Sequence, residues 1–271
     1  MGANFFDANP PNTVPQPLPL FWTSASRTEV GKVRKKNEDA CLELLSHGLW
    51  VVADGMGGHD TGEVASAEIV KTLGQFSTPT QLSRSVDEIE DRLQETNLYL
   101  RKLARATRQD CVIGSTVVVM FAYRGFLAYF WAGDCRLYRY RGGKLVQLTQ
   151  DHTQVEDMVT NGLLTRLEAR RHPNANIVTR AIGAREGLFL DADIELVSPG
   201  DRFLLCSDGL DKELNDIEIR DHVANGGDRE AVNSLVNLAL SRKARDNITV
   251  IVATAHLDTP GHMQGEEPST N

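Results

Sequence analysis

The chain has 271 residues, of which 41% are hydrophobic and 24% are charged, a composition typical of globular proteins and unlike that of disordered chains. Its formal net charge of −8 argues against nucleic acid or an anionic membrane as a partner held by a diffuse basic field. No apolar run approaches the roughly 18 residues of a membrane span. The first residues, MGANFFDANP, lack the basic and apolar regions of a secretory signal, so we expect a cytoplasmic protein.

Both ends of the chain have the composition of tails. Residues 1–22 are rich in proline, which favours an extended, disordered segment, and residues 257–271 are polar and rich in turn-forming residues. One folded domain is therefore expected over residues 23–256. The cysteines are scattered and form no Cys-x-x-Cys pair, which predicts free buried thiols in a reducing compartment. They are Cys41, Cys111, Cys135 and Cys206.

Hydrophobic periodicity predicts strands and helices in alternating blocks. The chain is expected to begin with strands and then two helices: Thr23–Val33, Cys41–Leu45 and Leu49–Ala53 (the last ending at an Asp-Gly turn), then helices over 63–75 and 83–107. The middle is expected to hold four strands and a polar, helix-prone insert: Ser115–Phe121, Phe126–Trp131, Arg136–Tyr140 and Leu145–Leu148, then residues 151–171. The last third is expected to hold three more strands around two helices: strands Leu188–Val197 and Arg202–Cys206, helices Asp216–Ala224 and Arg229–Ser241, and strand Asn247–Ala255. Strands in sequential runs between pairs of helices indicate an α+β layered domain and not a parallel βαβ arrangement.

Acidic residues recur where the predicted strands end. Four of them flank strongly apolar strands and two more lie in the turn after the first strand: Asp54, Asp134, Asp208 and Asp246, then Glu38 and Asp39. Each acid taken alone fits ordinary turn chemistry. Taken together they favour a functional site, because a sheet positions functional groups at the ends of its strands.

Carboxylates that converge need a counter-charge. Two like charges about 4 Å apart repel by about 4 kcal/mol at an effective dielectric constant of about 20, so either protons or cations must neutralise them. Glu38, Asp54, Asp208 and Asp246 carry a formal charge of −4, which two divalent cations would balance. Oxygen ligands alone suit Mg²⁺ or Mn²⁺ and not zinc. Such a pair of cations can activate a water molecule for in-line attack on phosphorus.

A phosphate substrate also needs a cationic side chain. Arg34 lies four residues before Glu38 and can bind two phosphate oxygens through its planar guanidinium group. The alternative is that Arg34, Lys35 and Lys36 form a solvated basic turn, and for the two lysines this interpretation is favoured.

Seven short motifs occur together in one order along the chain. They are GKVRKKNED (31–39), DGMGGHDTGE (54–63), GST (114–116), WAGDCR (131–136), TRAIG (179–183), SDGL (207–210) and DNIT (246–249). Each motif alone is weak evidence, but the ordered set is specific. From about residue 23 to residue 255 the chain resembles the metal-dependent protein phosphatases, the type 2C serine/threonine family in its bacterial form.

The resemblance implies a fold and a set of roles. The expected fold is a four-layer α/β/β/α sandwich of two antiparallel sheets flanked by helices, with a cleft at one end that holds two Mn²⁺ or Mg²⁺ ions and allows for a third. Metal ligands would be Glu38, Asp54 (bridging both ions), the Gly55 carbonyl, Asp208 and Asp246, with Asp134 for the looser third ion. Asp39 would order a water molecule, Arg34 would bind the substrate phosphate, and residues 151–171 would form a flap beside the cleft.

The sequence departs from the family pattern at two places. Eukaryotic relatives carry a histidine two residues after the bridging aspartate, proposed as general acid, and here that position is Met56. His59 lies nearby, where it would either protonate or position the substrate or cap the following helix. Many relatives also have an aspartate four residues after the aspartate of SDG, where this chain has Lys212, with Asp211 one position short.

Two rival functions are weaker. A serine hydrolase with Ser207 as nucleophile lacks the first glycine of the G-x-S-x-G turn, because Leu205 stands there. A non-catalytic relative that only binds phosphoproteins would have lost metal carboxylates, and here all of them are present. The sequence therefore predicts a monomeric phosphatase for phosphoserine and phosphothreonine in proteins, acting on targets of a cognate serine/threonine kinase.

Overall fold

A computed structural model describes residues 19–57, 61–77, 80–107 and 112–258, and within these ranges ten strands form two five-stranded antiparallel sheets. The strands are β1 Leu20–Glu29, β2 Asp39–Leu44, β3 Leu49–Gly57, β4 Ile113–Tyr123, β5 Phe126–Ala132, β6 Arg136–Arg141, β7 Lys144–Gln147, β8 Asp191–Leu196, β9 Arg202–Cys206 and β10 Ile248–Leu257. The helices are α1 Thr61–Leu73, α2 Leu82–Ala106, α3 Gln154–Thr160, α4 Arg166–Ala169, α5 Asp208–Asp211, α6 Asp216–Ala224 and α7 Asp228–Ser241. One sheet has the order β1-β10-β9-β6-β7 and the other β2-β3-β4-β5-β8.

The two sheets pack face to face and helices cover their outer faces. Trp50, Phe203 and Ile251 belong to the buried cluster between the sheets. Helices α1 and α2 pack on the sheet that contains β3, and α6 and α7 pack on the sheet that contains β10. The four-layer α/β/β/α arrangement expected from the resemblance is confirmed.

Alternation along β3 explains why its sequence is apolar at every position. Leu49, Val51 and Ala53 face the layer of helices, whereas Trp50 and Val52 face the other sheet. Successive side chains of a strand point to opposite faces, and a strand buried on both faces has no position left for a polar residue. Strand β3 is thus packed on both faces, and this packing fixes where the residues that follow Ala53 lie.

The structure shifts several predicted boundaries. Strand β1 begins at Leu20, so residues 20–22 belong to the sheet although a tail was predicted through residue 22. The predicted Asp-Gly turn at the end of LWVVA is wrong: β3 continues through Asp54 and Gly55 to Gly57, because it keeps pairing with β4. Residues 1–18 and 259–271, which include most of both predicted tails, lie outside the described residues.

Two further expectations concern cysteines and membranes. Cys135 and Cys206 are buried free thiols, as predicted, whereas Cys41 is a free thiol that is only partly buried, and Cys111 lies outside the described residues. Among the residues described here, no helix is both long and apolar enough to cross a bilayer.

Candidate active site

Strand pairing places two of the predicted acids side by side. Strands β2 and β3 are aligned so that Asp39 lies directly opposite Asp54. Residues opposite one another in an antiparallel pair have their Cβ atoms about 4.5–5.5 Å apart. The interruption of the apolar pattern at Asp54 is therefore not a turn but a carboxylate inside a strand, facing a second carboxylate.

The other sheet contributes Asp208 and Asp246. Asp208 follows β9 and opens α5, and Asp246 lies two residues before β10, the strand that pairs with β9. Gly209 is required where these segments meet, because a Cβ atom there would lie 1.9 Å from the carbonyl oxygen of Asn247. The glycine lets the start of α5 touch the start of β10, which brings the two acids to the same edge.

Hydrogen bonds to Asp39 join the two sheets. Its Oδ2 atom accepts one hydrogen bond from the Ser207 hydroxyl and one from the Thr249 hydroxyl, each at 2.7 Å. The Ser207 hydroxyl also accepts a hydrogen bond from the backbone N–H of Thr249, and Ser207 is fully buried. Ser207 therefore serves to position Asp39 and has no access to a substrate, which rules out the serine hydrolase alternative.

Glu38 and Gly55 meet next to the start of α1. The Gly55 N–H donates to the Glu38 carbonyl oxygen at 2.9 Å. A Cβ atom on Gly55 would lie 2.1 Å from the Gly62 carbonyl oxygen, so only glycine fits there. The Glu38 carboxylate reaches Gly62 as well, since its Oε1 atom lies 2.7 Å from where a Cβ of Gly62 would be. The Glu38 carboxylate and Gly55, the residue after Asp54, therefore both lie next to Gly62 at the start of α1.

Burial and mutual repulsion raise the pKa values of several of these carboxyl groups. Burial raises the pKa of Asp54 well above its usual range, and repulsion by Asp39, Asp208 and Asp134 raises it further. Burial, Asp208 and Asp151 likewise raise the pKa of Asp134. Burial raises the pKa of Asp39 to about 6 although its two hydroxyl donors oppose the change. The charges of Asp54, Asp134 and Asp208 therefore act on one another.

Two cationic side chains lie against these acids. The Arg34 Nε atom is 2.9 Å from Asp246 Oδ1, and about half of the Arg34 side chain remains exposed. The Lys212 ammonium group contacts Asp208 Oδ2 and lies 3.2 Å from Asp246 Oδ2. Burial acts to raise the pKa of Asp246, but Lys212 and Arg34 together lower it below its usual value.

The carboxylate side chains of this site have the chemistry that divalent cations require of their ligands. Among the described residues, no hydrogen-bond donor reaches the buried Oδ1 atoms of Asp39 and Asp208, and such acceptors are costly unless a cation binds them. All candidate ligands are oxygens, the donors preferred by Mn²⁺ and Mg²⁺. Within the described ranges, no three or more acidic, histidine or cysteine side chains form a ready-made ligand set. Lys212 and Arg34 instead partner the carboxylates of Asp208 and Asp246.

The remaining predicted site residues lie nearby or outside the described chain. Asp134 is buried in the connection between β5 and β6 and interacts electrostatically with Asp208. His59 lies outside the described residues, so its predicted role stays a prediction. The predicted flap, residues 151–171, holds α3 and α4, and it joins the site where His152 Nδ1 accepts the Gly133 N–H.

Sequence reasoning missed residues that hold the site in place. Asn247 accepts the Glu38 N–H and donates from Nδ2 to the carbonyl oxygens of Val30 and Lys36, which fixes the loop that carries Arg34. The sequence did contain a signal for Asn247, because it is a polar residue directly before an apolar strand and belongs to the DNIT motif (246–249). Lys212 was noted only as a departure from the family, because nothing in the sequence shows that its ammonium group reaches Asp246.

The raised carboxyl pKa values predict how the metal-free protein responds to pH. The pKa of Asp39 is raised to about 6 and that of Asp211 to about 7, in both cases mainly by burial. The native state then binds these protons more tightly than the unfolded state, so the free energy of unfolding falls as the pH rises. Burial lowers the pKa of His152, so this one group makes the free energy of unfolding rise with pH and opposes part of the effect. We expect the free energy of unfolding in EDTA to be about 1–3 kcal/mol lower at about pH 7.5 than at about pH 5.5.

Urea unfolding at both pH values measures this difference. Asp211→Asn removes one of the groups with a raised pKa and should flatten the dependence. A free energy of unfolding that rises from pH 5.5 to 7.5 in EDTA would contradict the electrostatic description of the site.

Known proteins of the same architecture were compared with this chain. A family model described as "Protein phosphatase 2C" matches residues 31–241. Protein phosphatase PhpP of Streptococcus pneumoniae is 32% identical over 235 residues, which cover 84% of this chain and 95% of PhpP. The solved structure of PppA, described as a key regulatory component of T6SS in Pseudomonas aeruginosa, is 43% identical with a TM-score of 0.82, over 87% of this chain and 98% of PppA.

A further solved structure bears on the metal site. The catalytic domain of the serine threonine protein phosphatase PstP in complex with two manganese ions is 29% identical, with a TM-score of 0.79, over 88% of this chain and all of that domain. The match of the family model over most of the chain, the similarity to PhpP and the shared four-layer fold agree with one another. The chain belongs to the protein phosphatase 2C family.

Proposed function

We propose that this protein hydrolyses phosphoserine and phosphothreonine in phosphoproteins with the help of two divalent cations, Mn²⁺ or Mg²⁺. The observation that carries the proposal is the set of acids from both sheets at one end of the sandwich, with buried oxygens of Asp39 and Asp208 that lack any donor. The manganese ions in the PstP structure and the names of the relatives support the same conclusion.

Each side chain of the cluster has a proposed part in holding the cations. Asp54 would contribute to holding both cations, since the charges of Asp39, Asp208 and Asp134 all act on it. Asp208 and Asp246 would hold one cation, and Glu38 with the Gly55 carbonyl would hold the other. Asp39 orders water, because its free oxygen lies beside the cluster while its other oxygen is anchored by two hydroxyls.

The chemistry divides between the cations and the chain. When bound, the cations lower the pKa of a water molecule and stabilise negative charge on the phosphate. Arg34 orients the phosphate: its guanidinium group is half exposed at the site and can form paired hydrogen bonds to two oxygens. Protonation of the leaving alkoxide is assigned to water or to His59.

Phosphate release from an aryl phosphate and from phosphoserine and phosphothreonine peptides tests the proposal. Activity is expected with Mn²⁺, and EDTA should abolish it, with recovery when Mn²⁺ is restored. A non-catalytic phosphoprotein-binding protein would bind the peptides without releasing phosphate, and that result would refute the proposal.

Arg34→Ala is expected to raise KM by about 10-fold or more and to change kcat much less, because a hydrogen-bonded charged contact contributes about 1.5–3 kcal/mol. Steady-state kinetics with a phosphopeptide measures both constants. Lys35→Ala is the matched control, since Lys35 is exposed and adjacent and should leave both constants unchanged. A change confined to kcat would show that Arg34 has a different role.

The cellular setting is proposed from the relatives. We assign the protein to the cytoplasm as a monomer, acting on phosphoproteins made by a cognate serine/threonine kinase. The similarity to PppA, described as a regulatory component of T6SS, makes components of such a system candidate substrates. Phosphoproteomics of a deletion strain tests this: phosphoserine and phosphothreonine sites should accumulate, and they should return to normal when the gene is restored.

A further inference from the structure

Lys212 lies inside the acidic cluster and not at its rim. Its ammonium group contacts Asp208 Oδ2 and is 3.2 Å from Asp246 Oδ2. The backbone fixes this placement, because the Lys212 N–H donates to the Asp208 carbonyl oxygen at 3.0 Å at the end of α5. About two thirds of its side chain is removed from solvent. The lysine is thus built into the site by the same short helix that presents Asp208.

The charge of Lys212 acts on a third acid as well. Burial, Asp208 and Asp151 raise the pKa of Asp134, and Lys212 is the cation that counteracts them most. Burial alone would lower the pKa of Lys212, but Asp208, Asp246 and Asp134 raise it well above its usual value. The ammonium group therefore offsets part of the negative charge of these three acids.

Lys212 leaves room for a cation on Asp208. The lysine occupies Oδ2 of Asp208, whereas Oδ1 is buried and has no donor. A carboxylate can bind a metal ion with one oxygen and an ammonium group with the other. Asp39 also keeps a buried oxygen without a donor. At Asp208, Lys212 can therefore stay in place beside a bound cation without competing for the same oxygen.

The charge balance limits how many divalent cations the region needs. Eight carboxylates and three cationic side chains are linked by electrostatic interactions in this region, which leaves a formal charge of −5: Glu38, Asp39, Asp54, Asp134, Asp151, Asp208, Asp211 and Asp246 against Arg34, Arg136 and Lys212. Two divalent cations bring this to −1, and a third would make it positive. With aspartate at position 212 the charge would be −7, and a third divalent cation would again be favourable.

We propose that Lys212 takes the place of a third divalent cation, so that this centre binds two divalent cations and the ammonium group supplies the remaining positive charge beside Asp134. The inference rests on the proposed two-cation site. It makes Lys212 a determinant of metal stoichiometry, a property that can be measured without any substrate.

The number of bound Mn²⁺ ions per full-length chain tests the inference, by equilibrium dialysis followed by elemental analysis. The wild-type chain should hold two ions, and Lys212→Asp should hold three at saturating Mn²⁺. Lys102→Asp is the matched control: it makes the same charge change at an exposed position of α2 and should hold two.

A second variant distinguishes a lysine that stays beside the bound cations from one that competes with Mn²⁺ for the carboxylates. Lys212→Met removes the ammonium group without adding a ligand, so Mn²⁺ should bind it no more tightly than the wild type. In EDTA it should unfold at a lower temperature than the wild type, because Asp208 loses the ammonium group on its Oδ2 atom. Three ions in the wild type, or two in Lys212→Asp, would overturn the inference and leave the proposed function intact. So would tighter Mn²⁺ binding by Lys212→Met at an unchanged stoichiometry. Fewer than two ions in the wild type would overturn the two-cation site itself.

Discussion

Asp208→Asn is expected to lower Mn²⁺-dependent phosphate release by at least about 100-fold, since the loss of even one charge-stabilising group at a reaction centre costs this much. The substitution keeps the shape of the side chain and removes its negative charge. Among the described residues, Oδ1 of Asp208 is a buried acceptor with no hydrogen-bond donor, and Lys212 is the cation in direct contact with this carboxylate. Initial rates at saturating Mn²⁺ measure the effect.

The control for Asp208→Asn is the same change on an exposed helix surface. Asp91→Asn in α2 removes an equal charge far from the cluster in sequence and should retain wild-type rates. Circular dichroism should give identical spectra for both variants, because the burial of Asp208 penalises its charge and not its shape. Undiminished turnover in a folded Asp208→Asn protein would refute the assignment of the active site.

Phe203→Ala is expected to lower the free energy of unfolding by about 3–5 kcal/mol, the range for a truncated buried aromatic side chain. Phe203 is fully buried between the sheets and its ring lies 5.8 Å from that of Trp22. The active site joins one sheet to the other through Asp39, so a loosened interface between the sheets should also weaken Mn²⁺ binding. Urea unfolding and Mn²⁺ titration measure the two effects.

Phe189→Ala is the matched control for Phe203→Ala. Phe189 is 72% exposed, so its truncation should change the free energy of unfolding by less than about 0.5 kcal/mol. Equal losses in both variants would mean that the interface between the sheets does not carry the stability assigned to it.

Local sequence determined most of the elements and the identity of the reactive acids. The period-two burial of the apolar runs specifies strands, and the run LWVVA is apolar throughout because β3 is buried on both faces. The seven ordered motifs identified the family, since each retains residues whose chemistry the site needs. The rule that Asp-Gly marks a turn gave a wrong prediction at Asp54 and Gly55. These residues continue β3, because β4 pairs with β3 along its whole length.

Only the tertiary structure decided which charges meet. Asp39 and Ser207 are 168 residues apart in sequence and 2.7 Å apart in space, and no local pattern encodes that contact. Lys212 is the clearer case, because a lysine four residues after an aspartate is ordinary on any helix. It meets two acids only because β9 and β10 pair and bring Asp246 to the same ammonium group as Asp208. The sequence by itself determined the kinds of charge available; the fold determined the distances between them, and electrostatic energy depends on those distances.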